Sequence, residues 1–149
     1  MHNSYATGNV TSSNSYVGGL VGDNWLNDAR VQGSVTLNPS VIATRAETNI
    51  DVGRVAGRNQ QDAFLSGNYA RDDMKLKRDG APYVPTAETA QANKQDGAST
   101  LAFHTQAFWT GTLSSWDFSA NGDWEWQEGF LPTLRNVGGE QRPVAQEVP

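Results

Sequence analysis

Between Asn3 and Asn68 the apolar residues fall in short clusters separated by glycine, asparagine, serine and threonine, and no stretch sustains the 3.6-residue spacing of an amphipathic helix. Each glycine inside a helix would cost about 1 kcal/mol. The pattern therefore predicts many short strands joined by tight turns, an all-β region.

The clusters repeat. Tyr5-Ala6-Thr7-Gly8-Asn9-Val10 recurs as Arg30-Val31-Gln32-Gly33-Ser34-Val35 and as Phe64-Leu65-Ser66-Gly67-Asn68-Tyr69, while Val17-Gly18-Gly19-Leu20-Val21-Gly22-Asp23-Asn24 returns as Val52-Gly53-Arg54-Val55-Ala56-Gly57-Arg58-Asn59. The first pattern recurs after 25 residues (Gly8 to Gly33) and then 34 (Gly33 to Gly67), the second after 35 (Gly22 to Gly57). Val10 to Val17 spans 7 residues and Val35 to Val52 spans 17, which places a ten-residue insertion within Thr36 to Asn49 and leaves a period of about 25.

A period of that length, built from short strands and Gly/Asn turns, predicts a parallel β-helix (β-solenoid) of about three coils, each stacking its strands on the coil before. Gly8, Gly33 and Gly67 are then expected at equivalent stations. Ala6, Val31 and Leu65 are expected in one inward column, Leu20 and Val55 in another, with Gly22 and Gly57 at corners. Asn24 and Asn59 are expected at matching turns, amide bonded to amide. An antiparallel β-sandwich with glycine-rich hairpins is the alternative.

After Tyr69 no further copy of the glycine-rich pattern occurs, and Arg71 to Ala92 is charged and interrupted by Pro82 and Pro85. The expected organisation is coils over 1–75, a C-terminal capping segment with a short helix and an aromatic hairpin over 76–137, and a linker or disordered tail over 138–149. Ser99 or Thr100 is expected to cap a helix whose apolar face carries Leu101, Ala102, Phe108 and Trp109. Around Ala120-Asn121-Gly122, a three-residue loop with left-handed Gly122 pairs Phe118 with Trp124 and Trp116 with Trp126. Four of the five tryptophans follow residue 100 and are expected to form core, the alternative being a sugar-stacking platform.

Length and charge narrow the function classes. A chain of 149 residues with 37% hydrophobic content holds one domain with a core, with room for a cap. Net charge −5 with no basic block argues against nucleic acid, and no run of eighteen apolar residues argues for membrane insertion. The N-terminus lacks the pattern of a secretion signal, and it begins almost inside a strand motif, so the array is expected to continue upstream of Met1. The absence of cysteine excludes disulfides, thiolate catalysis and Cys-type zinc sites.

No constellation carries catalysis. His2 and His104 stand far apart and outside metal-ligand spacing, so both are expected at the surface. Asp72 and Asp73 are adjacent and would point oppositely in a strand, which suits a solvated turn better than an acid–base pair. Asp51, Arg54 and Arg58 are the one set loosely comparable to polysaccharide-cleaving β-helices, and surface ion pairing accounts for them more simply. Asp23 and Asn24 offer too few ligands for calcium. No catalytic, cofactor-binding or metal-binding residue is expected, no cofactor is expected, and the residues of any binding surface remain unassigned.

The run Asn3-Ser4-Tyr5-Ala6-Thr7-Gly8-Asn9-Val10 followed by Val17-Gly18-Gly19-Leu20-Val21-Gly22 resembles the GLUG repeat of bacterial surface proteins, named for Gly-Leu-hydrophobic-Gly. The second copy departs from it at Arg54 and Ala56, and the resemblance covers residues 3 to 75. The segment from Gly67 to Met74, and later Phe108-Trp109 through Leu131-Pro132-Thr133-Leu134, resembles the tail that follows such arrays in gut bacterial proteins. The resemblance implies a right-handed parallel β-helix in a larger secreted or wall-attached protein, a non-enzymatic stalk or adhesive surface outside the cell. Its implied partners are a host or bacterial surface protein or a glycan. The alternative is an accessory or glycan-binding domain of a secreted peptidase or carbohydrate-active enzyme.

Overall fold

The computed structural model describes residues 1–13, 15–45, 51–60 and 62–137. The chain divides into two compact units, Met1–Thr100 and Leu101–Pro149. The described residues are mostly short strands with very little helix, which makes the class all-β. The expected tail over 138–149 lies outside the described residues.

The first unit is a set of parallel ladders between chain segments 29 to 35 positions apart. Tyr5–Ala6 pairs with Val35–Thr36, which pairs with Tyr69–Arg71, which pairs with Ala98–Thr100. Val10–Ser12 pairs with Ser40–Ala43 and that with Lys75–Arg78, where the short antiparallel strand Ala81–Pro82 closes the ladder. Three shorter ladders join Arg30–Gln32 to Phe64–Ser66, Tyr16–Gly18 to Asp51–Gly53, and Val21–Asn24 to Ala56–Asn59. Like therefore lies on like: Val17 on Val52, Val31 on Leu65, Val10 on Val41 on Leu76. Parallel pairing continues past residue 75 as far as Thr100.

The interior is filled by small aliphatics. Val17, Val41, Ala43, Val52, Ala70, Met74 and Leu76 form one cluster, and Val31, Val55, Ala56 and Leu65 another, against which Leu20 packs. Each buried valine or leucine contributes about 1.5–3 kcal/mol. Glycine is required where strands approach too closely for a side chain. A Cβ at Gly57 would strike the Val17 nitrogen, and one at Gly19 would strike the Arg54 carbonyl. Neither Gly22 nor Gly57 has positive φ, so close approach, not turning, fixes them.

The first repeat is registered differently from the sequence expectation. Gly8 is exposed, and the residue that matches Gly33 and Gly67 is Asn3. The Asn3 amide donates to Gln32 and the Gly33 amide to Ser66, and all three residues have left-handed φ of 47°, 55° and 61°. Asparagine is the side-chain-bearing residue best suited to that region, so it replaces glycine at the turn without a glycine motif in the sequence. Ala6 accordingly lies beside Thr36, not Val31, while Val31 and Leu65 do share a position. The ten-residue insertion also dissolves. The offset is 30 at Tyr5 and Val35, 31 at Val10 and Val41, and 35 at Tyr16 and Asp51, so the main lengthening is four residues between Ala43 and Asp51. Residues 46–50 of the expected loop lie outside the described residues. Asn24 and Asn59 do form the expected ladder, with the Asn24 amide donating to Asn59 Oδ1 at 2.6 Å.

The second unit is organised by aromatic packing. Ser99 and Thr100 lie in a strand and cap nothing. The expected helix is split into a 3-10 turn, Ala102–His104, and a wide π-turn, Phe108–Thr112, in which Phe108 and Trp109 are buried while Leu101 and Ala102 are exposed. The Trp109 indole donates to the Phe103 carbonyl at 2.7 Å, which draws the chain into that wide turn. The hairpin also differs: Trp124–Glu125 pairs antiparallel with Thr133–Leu134. Residues 117–122 are tied by two backbone bonds, Gly122 to Ser119 and Trp124 to Asp117, and by side chains. Asp117 Oδ1 accepts the Ser119 amide at 2.9 Å, and Arg135 donates to the carbonyls of Gly122 and Trp124 at 2.9 Å each. Those Ser119 hydrogen bonds hold the Asp117 carboxyl below its ordinary range. Gly122 has no left-handed φ; a Cβ there would strike Asp117. Trp116 meets Trp124 at 4.2 Å between ring centroids, not through the expected strand register.

Candidate binding surface

The two glycine-rich copies carry Gly19 and Arg54 at the same position, and the arginine turns inward. Arg54 is 2% exposed. Its Nε donates to the Asp96 carbonyl, Nη2 to the Gly97 carbonyl and Nη1 to Ser99 Oγ, each at 3.0 Å, with the Arg71 carbonyl at 3.4 Å. The Asp96 side chain accepts the Arg54 amide at 3.0 Å and the Tyr83 hydroxyl at 3.3 Å. Burial lowers the Arg54 pKa, opposed by the charges of Asp96 and Asp72. Arginine stays protonated even so. Arg71 lies nearby in the fold, buried and bidentate to Asp73 at 2.6 and 2.7 Å. These groups are engaged with one another and with backbone, so the arrangement is a polar plug that fixes the segment around residues 95–99.

The set Asp51, Arg54 and Arg58 is thus not one site. Asp51 is exposed, Arg54 is enclosed, and Arg58 faces outward. The expectation of surface ion pairing holds for Arg58, which donates to Asp23, and fails for Arg54, whose charge is met inside by carbonyls. His2 and His104 are both exposed, and among the described residues no three His, Cys, Asp or Glu side chains gather as a metal would need. Asn24 is committed to its ladder and Asp23 to Arg58, which leaves no calcium cradle between them. Among the described residues no helix is long and apolar enough to cross a membrane.

The surface around Arg58 is the more open arrangement. Register places Asp23 opposite Arg58 on adjacent parallel strands. Arg58 Nε donates to Asp23 Oδ1 at 3.0 Å, Nη2 to Asp23 Oδ2, and Nη1 to the Tyr16 hydroxyl at 2.7 Å. The guanidinium carbon lies 3.7 Å from the Tyr16 ring centroid and 5.5 Å from that of Trp25. Hydrogen bonding to Asp23 raises the Arg58 pKa further. Trp25 is 48% exposed and Leu26 64%, and Leu26 and Asp28 both hold positive φ, at 90° and 69°. Such backbone costs about 1–3 kcal/mol per residue and concentrates at functional loops. Beside it, Arg30 lies 5.0 Å over the Phe64 ring and 3.6 Å from Asp28.

The tryptophans after residue 100 divide. Trp109 and Trp116 are core, and Trp124 and Trp126 are half-buried. Trp25, the one tryptophan the sequence pattern left aside, is the exposed ring. Its flanking Asp23-Asn24 and Asn27-Asp28 were the available signal, since a large aromatic amid polar loop residues has no core to enter. No protein-family model, curated protein or solved structure matches this chain.

Proposed function

We propose that the chain is a non-enzymatic module of a larger surface protein, with its first unit a short β-solenoid that serves as a rigid stalk or interaction surface outside the cell. The observation that carries this reading is the parallel pairing of successive segments at nearly constant offset, with matched residues such as Val17 and Val52 or Asn24 and Asn59 laid one on the other. Stacks of that kind transmit rigidity along one axis and offer flat lateral faces. The GLUG-like residues of the first copy agree with it, and Arg54, where the second copy departs from them, ties that copy to the segment at 96–99 through the Asp96 and Gly97 carbonyls and Ser99.

The reading is tested on cells that make the parent protein. Protease added to intact cells should remove the epitope carried by this chain, with a cytosolic marker untouched. An epitope protected until the cells are lysed, and recovered with the cytosolic fraction, would overturn it.

A further inference from the structure

We propose that Tyr16, Asp23, Trp25 and Arg58 form a binding site for a neutral saccharide, with the apolar face of a pyranose stacked on Trp25 and its hydroxyls held by the Asp23–Arg58 pair. This deepens the reading of the chain as an interaction module and rests on it.

Trp25 keeps half its surface in water, with Arg58 5.5 Å over the ring centroid, so the exposed part of the indole can take an apolar sugar face. Next to that ring stands a pair of charged groups that is already immobilised. Arg58 is held by both carboxylate oxygens of Asp23, by the Tyr16 hydroxyl and by the Tyr16 ring, so little side-chain freedom remains to be lost on binding. A guanidinium carries five N–H donors and three are engaged in these bonds; the carboxylate has roughly four acceptor positions and accepts two of them. Two guanidinium donors and about two carboxylate acceptor positions lie outside these bonds, and a vicinal diol uses groups of both kinds.

The alternatives fit less well. One arginine balanced by one aspartate, on a chain of net charge −5, gives no field to draw phosphate or an acidic polymer. A protein hot spot wants aromatic anchors in a contiguous, drying patch, whereas Trp25 is set among ionised side chains. The Phe64, Arg30 and Asp28 group repeats the same chemistry, an aromatic ring with a paired arginine, where the chain leaves the Leu26 loop for the next strand. An oligosaccharide is therefore the better probe than a single sugar.

The test titrates the whole chain separately with cellohexaose, chitohexaose and mannohexaose while following the five indole N–H resonances by NMR. At least one saccharide should shift the Trp25 resonance and leave that of Trp109 in place. Trp25→Ala should weaken binding about tenfold or more, Arg58→Ala and Asp23→Asn should weaken it too, and Trp25→Phe should retain part of it, all with unchanged dispersion elsewhere in the spectrum. Silence from all three probes at about 10 mM, far above a weak Kd, overturns the proposal. So does binding that survives Trp25→Ala. A silent titration of a chain that protease still removes from intact cells takes away the saccharide site and leaves the surface-module reading standing; a cytosolic chain that binds does the reverse.

Discussion

The two compact units reach order by opposite routes. In Met1–Thr100 backbone ladders set the structure and the buried apolar side chains are aliphatic, mostly valine, alanine and leucine, so identity of one segment with the next is what matters. Among the described residues of Leu101–Pro149 strand pairing is confined to two residues on each side, and Phe103, Phe108, Trp109 and Trp116 are buried. The difference teaches where each is vulnerable. A ladder fails at a backbone approach or at a plug that ends it, and an aromatic cluster fails when its largest ring is removed.

The strongest way to break that comparison is a matched pair of substitutions. Trp109→Ala should cost about 3–5 kcal/mol through the cavity it opens; Asp96→Ala removes the carboxylate that accepts the Arg54 backbone amide and the Tyr83 hydroxyl and should cost about 1–3 kcal/mol. Segment-resolved hydrogen exchange should show Asp96→Ala exposing the amides of 51–59 and 95–100, and Trp109→Ala exposing those of 103–117. Equal loss of protection across both units in either variant would show that the two routes are not separable. A smaller effect is expected at Asn24→Ala, which takes a donor from Asn59 Oδ1 and should lower stability by about 1–2 kcal/mol in a denaturant titration. No change there would mean that the amide ladder adds nothing to the backbone pairing.

The smallest effect sharpens the first unit at alkaline pH. Burial pushes the Tyr5 phenol from 10.0 up to about 12, and burial with the Asp96 charge also raises Tyr83. A raised value means the fold favours the protonated form, so the stability it contributes is complete below pH 10 and is lost as the pH climbs toward 12. Tyr5→Phe should blunt that loss, read as a shallower fall in unfolding midpoint over this interval, with the remainder attributable to Tyr83. An identical fall in the variant would rule out Tyr5 as a contributor.

What the sequence disclosed follows the same division. Because a parallel ladder places equivalent residues side by side, the match of Val17-Gly18 with Val52-Gly53 was legible as spacing, and so was that of Val31 with Leu65. The first copy slipped because the turn needs left-handed backbone, not glycine as such, and Asn3 supplies it while Gly8 merely looks like the motif. Arg54 was taken as a surface group because its partners are carbonyls of residues 71, 96 and 97, which no local pattern announces. In the second unit the aromatic positions were visible, but their register was not. Ring packing and the Asp117 and Arg135 bonds outweigh a loop-length rule that assumes two strands. Trp25 escaped for a related reason, since Arg58 reaches it only after folding.

The ladder spacing also sets a mechanical quantum. Each strand is bonded to its counterpart one segment away, so a pulled chain sheds its outermost segment while the rest stays paired. Thirty-four residues separate Arg30 from its partner Phe64, and drawn taut they reach about 110 Å. Stretching would therefore proceed in steps of that length, each rupture lengthening the tether before the next segment bears load.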